Sequence, residues 1–310
     1  VEQRDRQKAM IEAAMIATLT TIFVLGTVYI PVLSILMVLI PVPFLVLAAR
    51  RSTRYAFFSL LVTVLLIGVL TGILYSLLIF VIFGPLAIVM GAWIRKEKHP
   101  HEIIFAGAFA SAAATFLLIY LIGLATGIQL TLELGQMFEN LFQQQIDSLQ
   151  QLSIDPATAE EMIQYVLLII PGLIMVQALF GAFINYYLTV AVLRRSHSYQ
   201  QELPEFSRFK LPGHVVMGSF LVLMLSWLTS YADWLHTEGM VANTVLLIVM
   251  VFFMQGLSVI SFWIKRTRVP KWLRIVVLLS LVIISPIITV IAMLGLLESM
   301  INFRKISSSK

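Results

Sequence analysis

The chain has 310 residues, of which 60% are hydrophobic and only 12% charged, and its mean hydropathy is +0.96. A soluble globular domain does not reach such values, so the chain reads as an integral membrane protein. The formal charge of +5 and the absence of cysteine exclude two further classes. The basic residues are parcelled into loops at helix ends, where they meet lipid headgroups rather than nucleic acid, and no disulfide, thiolate catalyst or thiolate metal site can form.

All 21 Lys and Arg fall in six short clusters: Arg4 to Lys8, Arg50 to Arg54, Arg95 to Lys98, Arg194 to Lys210, Lys265 to Arg274, and Arg304 to Lys310. Lys and Arg are retained on the cytoplasmic face during insertion, and each costs about 2.5 to 3.5 kcal/mol at the centre of a membrane helix. The clusters therefore map the topology. The N-terminus and the loops at 50–54, 95–101 and 194–212 are expected inside a bacterial cytoplasmic membrane, and residues 128–160 outside. Val1 to Lys8 are polar and lead into an apolar stretch with no small-residue cleavage site, so the first span is read as uncleaved.

A span needs roughly 20 apolar residues. Ala9 to Ala49 holds two, broken at Tyr29-Ile30-Pro31 because proline disfavours helical geometry in the residue before it. Tyr55 to Ile94 holds two more, with a turn near Thr71-Gly72. A fifth span runs from Ile103 to Thr126 and a sixth returns from Tyr165 to Leu193. Asp155-Pro156 has the form of an N-cap followed by proline at the first helical position. A helix from there to Leu193 would be about 57 Å long, long enough to protrude or to bend at Pro171-Gly172. Leu211 to Ile264 gives a seventh and an eighth span. Ile275 to Phe303 reads as one tilted ninth span, or as two half-helices broken at Ser285-Pro286, which would leave eight crossings. The fold class is an all-α polytopic membrane helix bundle.

Between the fifth and sixth spans, Gln129 to Gln151 has the pattern of an amphipathic helix, with Phe138, Leu141, Phe142 and Leu149 on its apolar side. Without basic residues it is not held by anionic lipid, and it reads as a lid packed onto the protein or dipped into the outer interface. Ala9, Ala13 and Ala17 form a small-residue stripe on the first span. Such a stripe lets another helix approach closely, either a span of the same chain or a partner membrane protein. Similar stripes at Gly84 and Gly91, and at Ala106, Gly107, Ala110, Ser111 and Ala114, read as internal packing.

Ionisable groups inside the spans would point to proton or ion pathways. Glu12, His214 and Glu298 lie near span ends and read as interfacial. There is no Walker A sequence, zincin pair, nucleophile elbow or metal-spaced cluster, so no catalytic residue, metal or cofactor is assigned and the chain is expected not to be an enzyme. The polar residues left in the spans are neutral. Tyr75, Tyr120, Gln177, Asn185 and Gln255 are the candidates for a pocket that takes a neutral or cationic small molecule. Each has an alternative role in helix-to-helix hydrogen bonding or in an interfacial belt.

The alanine-rich first span, Leu203-Pro204-Glu205-Phe206 leading to Phe209-Lys210-Leu211-Pro212, and the ending Leu294-Gly295-Leu296-Leu297-Glu298 with Phe303-Arg304-Lys305 carry a resemblance. The chain resembles the YybS-like family of bacterial multi-pass membrane proteins, whose function is unknown. That family in turn resembles, over its first six spans, the substrate-binding S components of energy-coupling-factor vitamin transporters. The resemblance implies a six-span unit over 1–193, a cytoplasmic connector over 194–212 and a three-span extension over 213–310. It also implies that Ala9, Ala13 and Ala17 dock on a coupling subunit and that residues 129–151 lie near a pocket mouth. The leading expectation is a non-enzymatic, substrate-binding or transport-related protein that needs an external energising partner. The alternatives are a membrane scaffold or regulatory protein without a transported ligand and, below it, a lipid-handling protein.

Overall fold

The structure is a computed structural model, and it describes residues 2–127, 133, 136, 137, 140, 156–196, 205–229, 238–267, 269–283 and 285–305. The lid residues Phe138, Leu141, Phe142 and Leu149 lie outside the described residues. Among the described residues every regular element is helical: α1 (Glu2–Tyr29), a 3₁₀ segment (Pro31–Leu39), α2 (Pro41–Arg50), α3 (Thr53–Thr71), α4 (Ile73–Arg95), α5 (Pro100–Thr126), α6 (Pro156–Arg195), a 3₁₀ turn (Phe206–Arg208), α7 (His214–Thr229), α8 (Glu238–Arg266), α9 (Lys271–Ile283) and α10 (Ser285–Ile301). Among the described residues seven segments are long and apolar enough to cross a membrane, the Pro31–Arg50 stretch counting as one.

The chain divides into two compact units, one of residues 1–133 and 174–203 and a second of 134–173 and 204–310. The first unit closes at residue 203, within the expected connector, and residues 134–173 are assigned to the second. Helix α6 runs 40 residues without interruption past Pro171, and its first part belongs to the second unit.

In the first unit the helices carry small and hydroxyl-bearing residues inward and large apolar ones outward. On α1, Ala9, Ala13, Ala17, Thr20, Thr21 and Val24 are buried while Met10, Ile11, Met15, Leu19 and Ile22 are exposed, the arrangement of a surface solvated by lipid. The alanine stripe is consumed within the chain. Ser59 Oγ on α3 donates to the Ala13 carbonyl at 2.7 Å, and Ala13 packs with Leu47, Ala48 and Ala56. The close approach that the stripe permits is thus made to α3 and α2.

The second crossing departs from a plain α-helix. Its first nine residues, Pro31–Leu39, form a 3₁₀ helix before α2 begins at Pro41. At about 2.0 Å per 3₁₀ residue and 1.5 Å per α residue, the 20-residue stretch reaches roughly 33 Å. The turn between α3 and α4 is made at Gly72, whose φ of 101° suits a residue without a Cβ. The basic clusters of this unit gather at one face, since Arg51 Nε donates to Glu12 at 2.6 Å and Arg95 Nη1 to the Arg51 carbonyl at 2.6 Å.

In the second unit α8 and α10 cross at backbone contact. A Cβ placed on Gly256 would overlap the Ile291 carbonyl, and one on Gly295 would overlap the Phe252 carbonyl. The single overlong span expected over Ile275 to Phe303 is replaced by two elements, α9 and α10. Their 13 and 17 residues give helices of about 20 and 26 Å, each shorter than a hydrocarbon core of about 30 Å. Pro286 sits in the first turn of α10, where its missing N–H is tolerated. The turn after α10 returns to the segment that precedes α7: Arg304 Nη2 donates to the Phe209 carbonyl at 2.9 Å. The C-terminal turn and residues 205–211 therefore share one face of this unit.

Candidate binding site

The first unit contains a cavity of about 360 Å³ bounded by the 3₁₀ segment, α4, α5 and α6. Its walls are apolar for the most part, with Met37, Ile79, Phe83 and Ala178 among them, and its polar lining comes from Tyr75, Ser111, Thr115, Gln177 and Asn185. An apolar pocket with a few convergent polar groups is the usual form of a small-molecule site, and the volume lies within the usual range of about 300 to 1,000 Å³.

Asn185 is the centre of this lining, and the local sequence explains its position. In the 3₁₀ segment the carbonyl of Val38 would take its hydrogen bond from the residue three further on. That residue is Pro41, which has no N–H. The side-chain amide of Asn185 fills the gap: Nδ2 donates to the Val38 carbonyl at 2.8 Å and to the Gly181 carbonyl at 2.7 Å. Two carbonyl partners identify that atom as the nitrogen, so the amide orientation is fixed by chemistry. Its oxygen, Oδ1, is buried and has no hydrogen-bond partner among the described residues.

The hydroxyls of α5 are spent differently. Ser111 Oγ donates to the Ile82 carbonyl at 2.8 Å, and Thr115 Oγ1 to the Ser111 carbonyl at 2.9 Å. Each keeps only lone pairs for anything inside the cavity.

Three of the five sequence candidates, Tyr75, Gln177 and Asn185, come together in this lining. Tyr120 does not; it is 63% exposed towards the C-terminal end of α5. Gln255 lies in the second unit, fully buried, where its Oε1 accepts from the Leu211 N–H at 3.0 Å. Ser111 was read only as a packing residue and Thr115 was not singled out. The prolines at 31, 41 and 43 were the available signal for the wall they face, because a proline-punctuated span frees carbonyls that a neighbouring helix must cap.

The second unit builds a different polar arrangement. Glu298, expected at the interface, is fully buried, and Arg304 Nε donates to its Oε1 at 2.8 Å. Arg304 Nη1 donates to the Ser207 carbonyl and to Ser258 Oγ, each at 2.8 Å. Ser258 Oγ itself stands 2.7 and 2.9 Å from the Phe206 and Phe209 carbonyls. These groups pin residues 206–209 to α8. At the edge of the same segment Glu205 pairs with Lys265, and the ammonium beside it holds its carboxyl below the usual carboxylate range. This unit also has an apolar groove of about 720 Å³, which includes Val216, Phe220, Ile248 and Phe252 and carries Ser219 and Ser299 as its polar side chains.

Together these features define a polytopic helical membrane protein with one partly polar cavity and one buried ion-pair node among the described residues. The chain belongs to the family described as predicted membrane protein (DUF2232), which it matches over residues 18–299. It is similar to the uncharacterized protein YybS of Bacillus subtilis (strain 168), with 22% identity across 96% of this chain and 97% of the relative. No solved structure matches it.

Proposed function

We propose that the protein is a small-molecule-binding protein of the bacterial cytoplasmic membrane, S-component-like in its first six spans and dependent on a partner protein for energy. The observation that carries this reading is the cavity between the 3₁₀ segment, α4, α5 and α6, where Tyr75, Gln177 and Asn185 converge. The need for a partner rests on the sequence, which has no nucleotide-binding loop. Because Ala9, Ala13 and Ala17 are buried and Ala13 packs against α2 and α3, the partner would dock elsewhere than on this stripe. In the proposed topology the N-terminus, the loops at 50–54 and 95–101 and the 194–212 connector face the cytoplasm, with 128–160 outside. The C-terminal turn joins them inside, because Arg304 is anchored to the connector.

The test is untargeted mass spectrometry of small molecules released from protein purified out of native membranes, beside the Gly181→Leu variant. A Cβ at Gly181 meets nothing within 4 Å, so the added side chain enters the cavity instead of the packing. A molecule retained by the unaltered protein and missing from the variant supports the reading. A preparation that retains none, or retains the same molecules in both proteins, contradicts it. A lipid-handling role is the second reading, favoured by the groove along α7, α8 and α10, and it predicts phospholipid retained equally by both proteins.

A further inference from the structure

We propose that the groove along α7, α8 and α10 is the seat of one phospholipid with an anionic headgroup, an acyl chain lying in the groove and the phosphate at Lys210 and Lys305. The inference is independent of the role proposed for the cavity of the first unit, and its failure would leave that role standing. Three observations carry it.

The first is the depth of the groove. Its lining runs from Gly213 to Leu223 on α7, from Phe252 to Ile248 on α8 and from Met300 to Leu296 on α10. All three paths lead away from the face where Arg304 is anchored to residues 207–209. Ten residues of α7 cover about 15 Å, half of a hydrocarbon core of about 30 Å. The groove is thus one leaflet deep, which is the reach of an acyl chain, whereas a spanning helix of a partner would run the full depth. The second is the looseness of α7. Its one buried residue is Ser226, in the last turn, while Met217 and Phe220, which line the groove, are exposed. The half of the helix nearest the basic face is therefore short of packing partners, and an acyl chain against Met217 and Met300 supplies them, since methionine adapts to an irregular apolar neighbour. The third is charge. The hydrogen bond from Arg304 to the Phe209 carbonyl brings together the chain on which Lys305 and Lys210 are the next residues. Lys210 leads into Gly213 at the open end of the groove, and Lys305 follows Met300. Among the described residues this face carries Arg208, Lys210, Lys265, Arg266, Arg304 and Lys305 against the carboxylates of Glu205 and Glu298. Such a surplus attracts an anionic headgroup, and a zwitterionic one would bring a cation of its own to it.

The experiment titrates the full-length protein, delipidated in detergent, with phosphatidylglycerol and with phosphatidylcholine of identical acyl chains, read by native mass spectrometry. The expected result is one saturable phosphatidylglycerol adduct, at least about tenfold tighter than phosphatidylcholine. Lys210→Gln/Lys305→Gln should bring the anionic lipid down to the level of the zwitterionic one. Gly213→Leu should weaken both lipids, because a Cβ there meets nothing within 4 Å and the added side chain enters the groove. Equal affinity for the two lipids in the unaltered protein overturns the proposal whether or not the variants fold. A preference that survives in folded forms of both variants overturns it as well. Displacement of phosphatidylglycerol by inorganic phosphate would assign the site to a free anion, and a lipid-free dimer abolished by Gly213→Leu would assign the groove to a second copy of the chain; either overturns it.

Discussion

Both units bury polar side chains that keep an atom without a hydrogen-bond partner among the described residues, Asn185 Oδ1 in the first and Gln255 Nε2 and Glu298 Oε2 in the second, but the surroundings of those side chains differ. In the first, Asn185 caps a carbonyl freed by Pro41 and belongs to the wall of a cavity. In the second, Arg304 commits its guanidinium to Glu298, Ser258 and the carbonyls of Ser207 and Phe209, and both side chains of the ion pair are inaccessible. Asn185 and Gln255 look alike in a sequence, as single amides within apolar helices. Their roles differ because one faces a cavity bounded by a 3₁₀ segment and the other faces a proline-flanked connector whose Leu211 N–H needs an acceptor.

The contrast makes its largest prediction at Arg304. Arg304→Met removes the partner of a buried carboxylate, and loss of one member of such a pair costs about 3 to 5 kcal/mol. Unfolding in mild detergent should show this loss, and the double variant Arg304→Met/Glu298→Leu should recover most of it. A small effect of the single change would mean that the node is hydrated and that the contrast is overdrawn.

Next in size is the α8–α10 crossing. Gly256→Ala drives a methyl group into the Ile291 backbone and should destabilise by about 1 to 3 kcal/mol or more, the usual cost of overpacking. In the first unit Ala13→Leu should cost a similar amount, read by the same unfolding measurement, because its neighbours are Leu47, Ala48 and Ala56. A fully stable Ala13→Leu protein that loses a copurifying partner would return the stripe to a docking role. Gly181→Leu should stand apart, with stability changed by no more than about 1 kcal/mol, since it fills space rather than displacing atoms.

The smallest effect belongs to Glu205. Its folded-state pKa is depressed by Lys265, so its contribution is present above the unfolded carboxylate pKa and is lost as pH falls through the lower folded value. The pair is about half exposed, which limits it to about 1 kcal/mol or less. Glu205→Gln should lower the neutral-pH stability by no more than that amount, leave the low-pH value nearly unchanged and so flatten that acid limb of a stability-versus-pH curve.

Much of the helix layout was legible in the sequence. The basic clusters bracket the helices of the first unit, and the break at Tyr29-Ile30-Pro31 and the turn at Thr71-Gly72 fall where the chain turns. These features depend on local rules of charge, length and proline. The 3₁₀ course of Pro31–Leu39 was hidden because an apolar interval reports how far a segment can reach, not which hydrogen-bond pattern it uses. The division of Ile275 to Phe303 into α9 and α10 was visible only as an alternative at Ser285-Pro286. For the site, residue type singled out Tyr75, Gln177 and Asn185 but equally Tyr120 and Gln255. Polarity does not say which side of a helix meets a cavity, a neighbouring backbone or the outer surface. Glu298 was misplaced for a related reason: its partner Arg304 lies past the helix end, and only the return of the chain after α10 buries both.

The most direct test of the account is an experimental structure of the protein purified from native membranes, at a resolution that shows small molecules. It should contain non-protein density in the cavity between the 3₁₀ segment, α4, α5 and α6, with the Arg304–Glu298 node closed. A cavity collapsed around Asn185, with its oxygen bonded to a donor of the chain itself, would contradict the claim that this unit is built to hold a ligand.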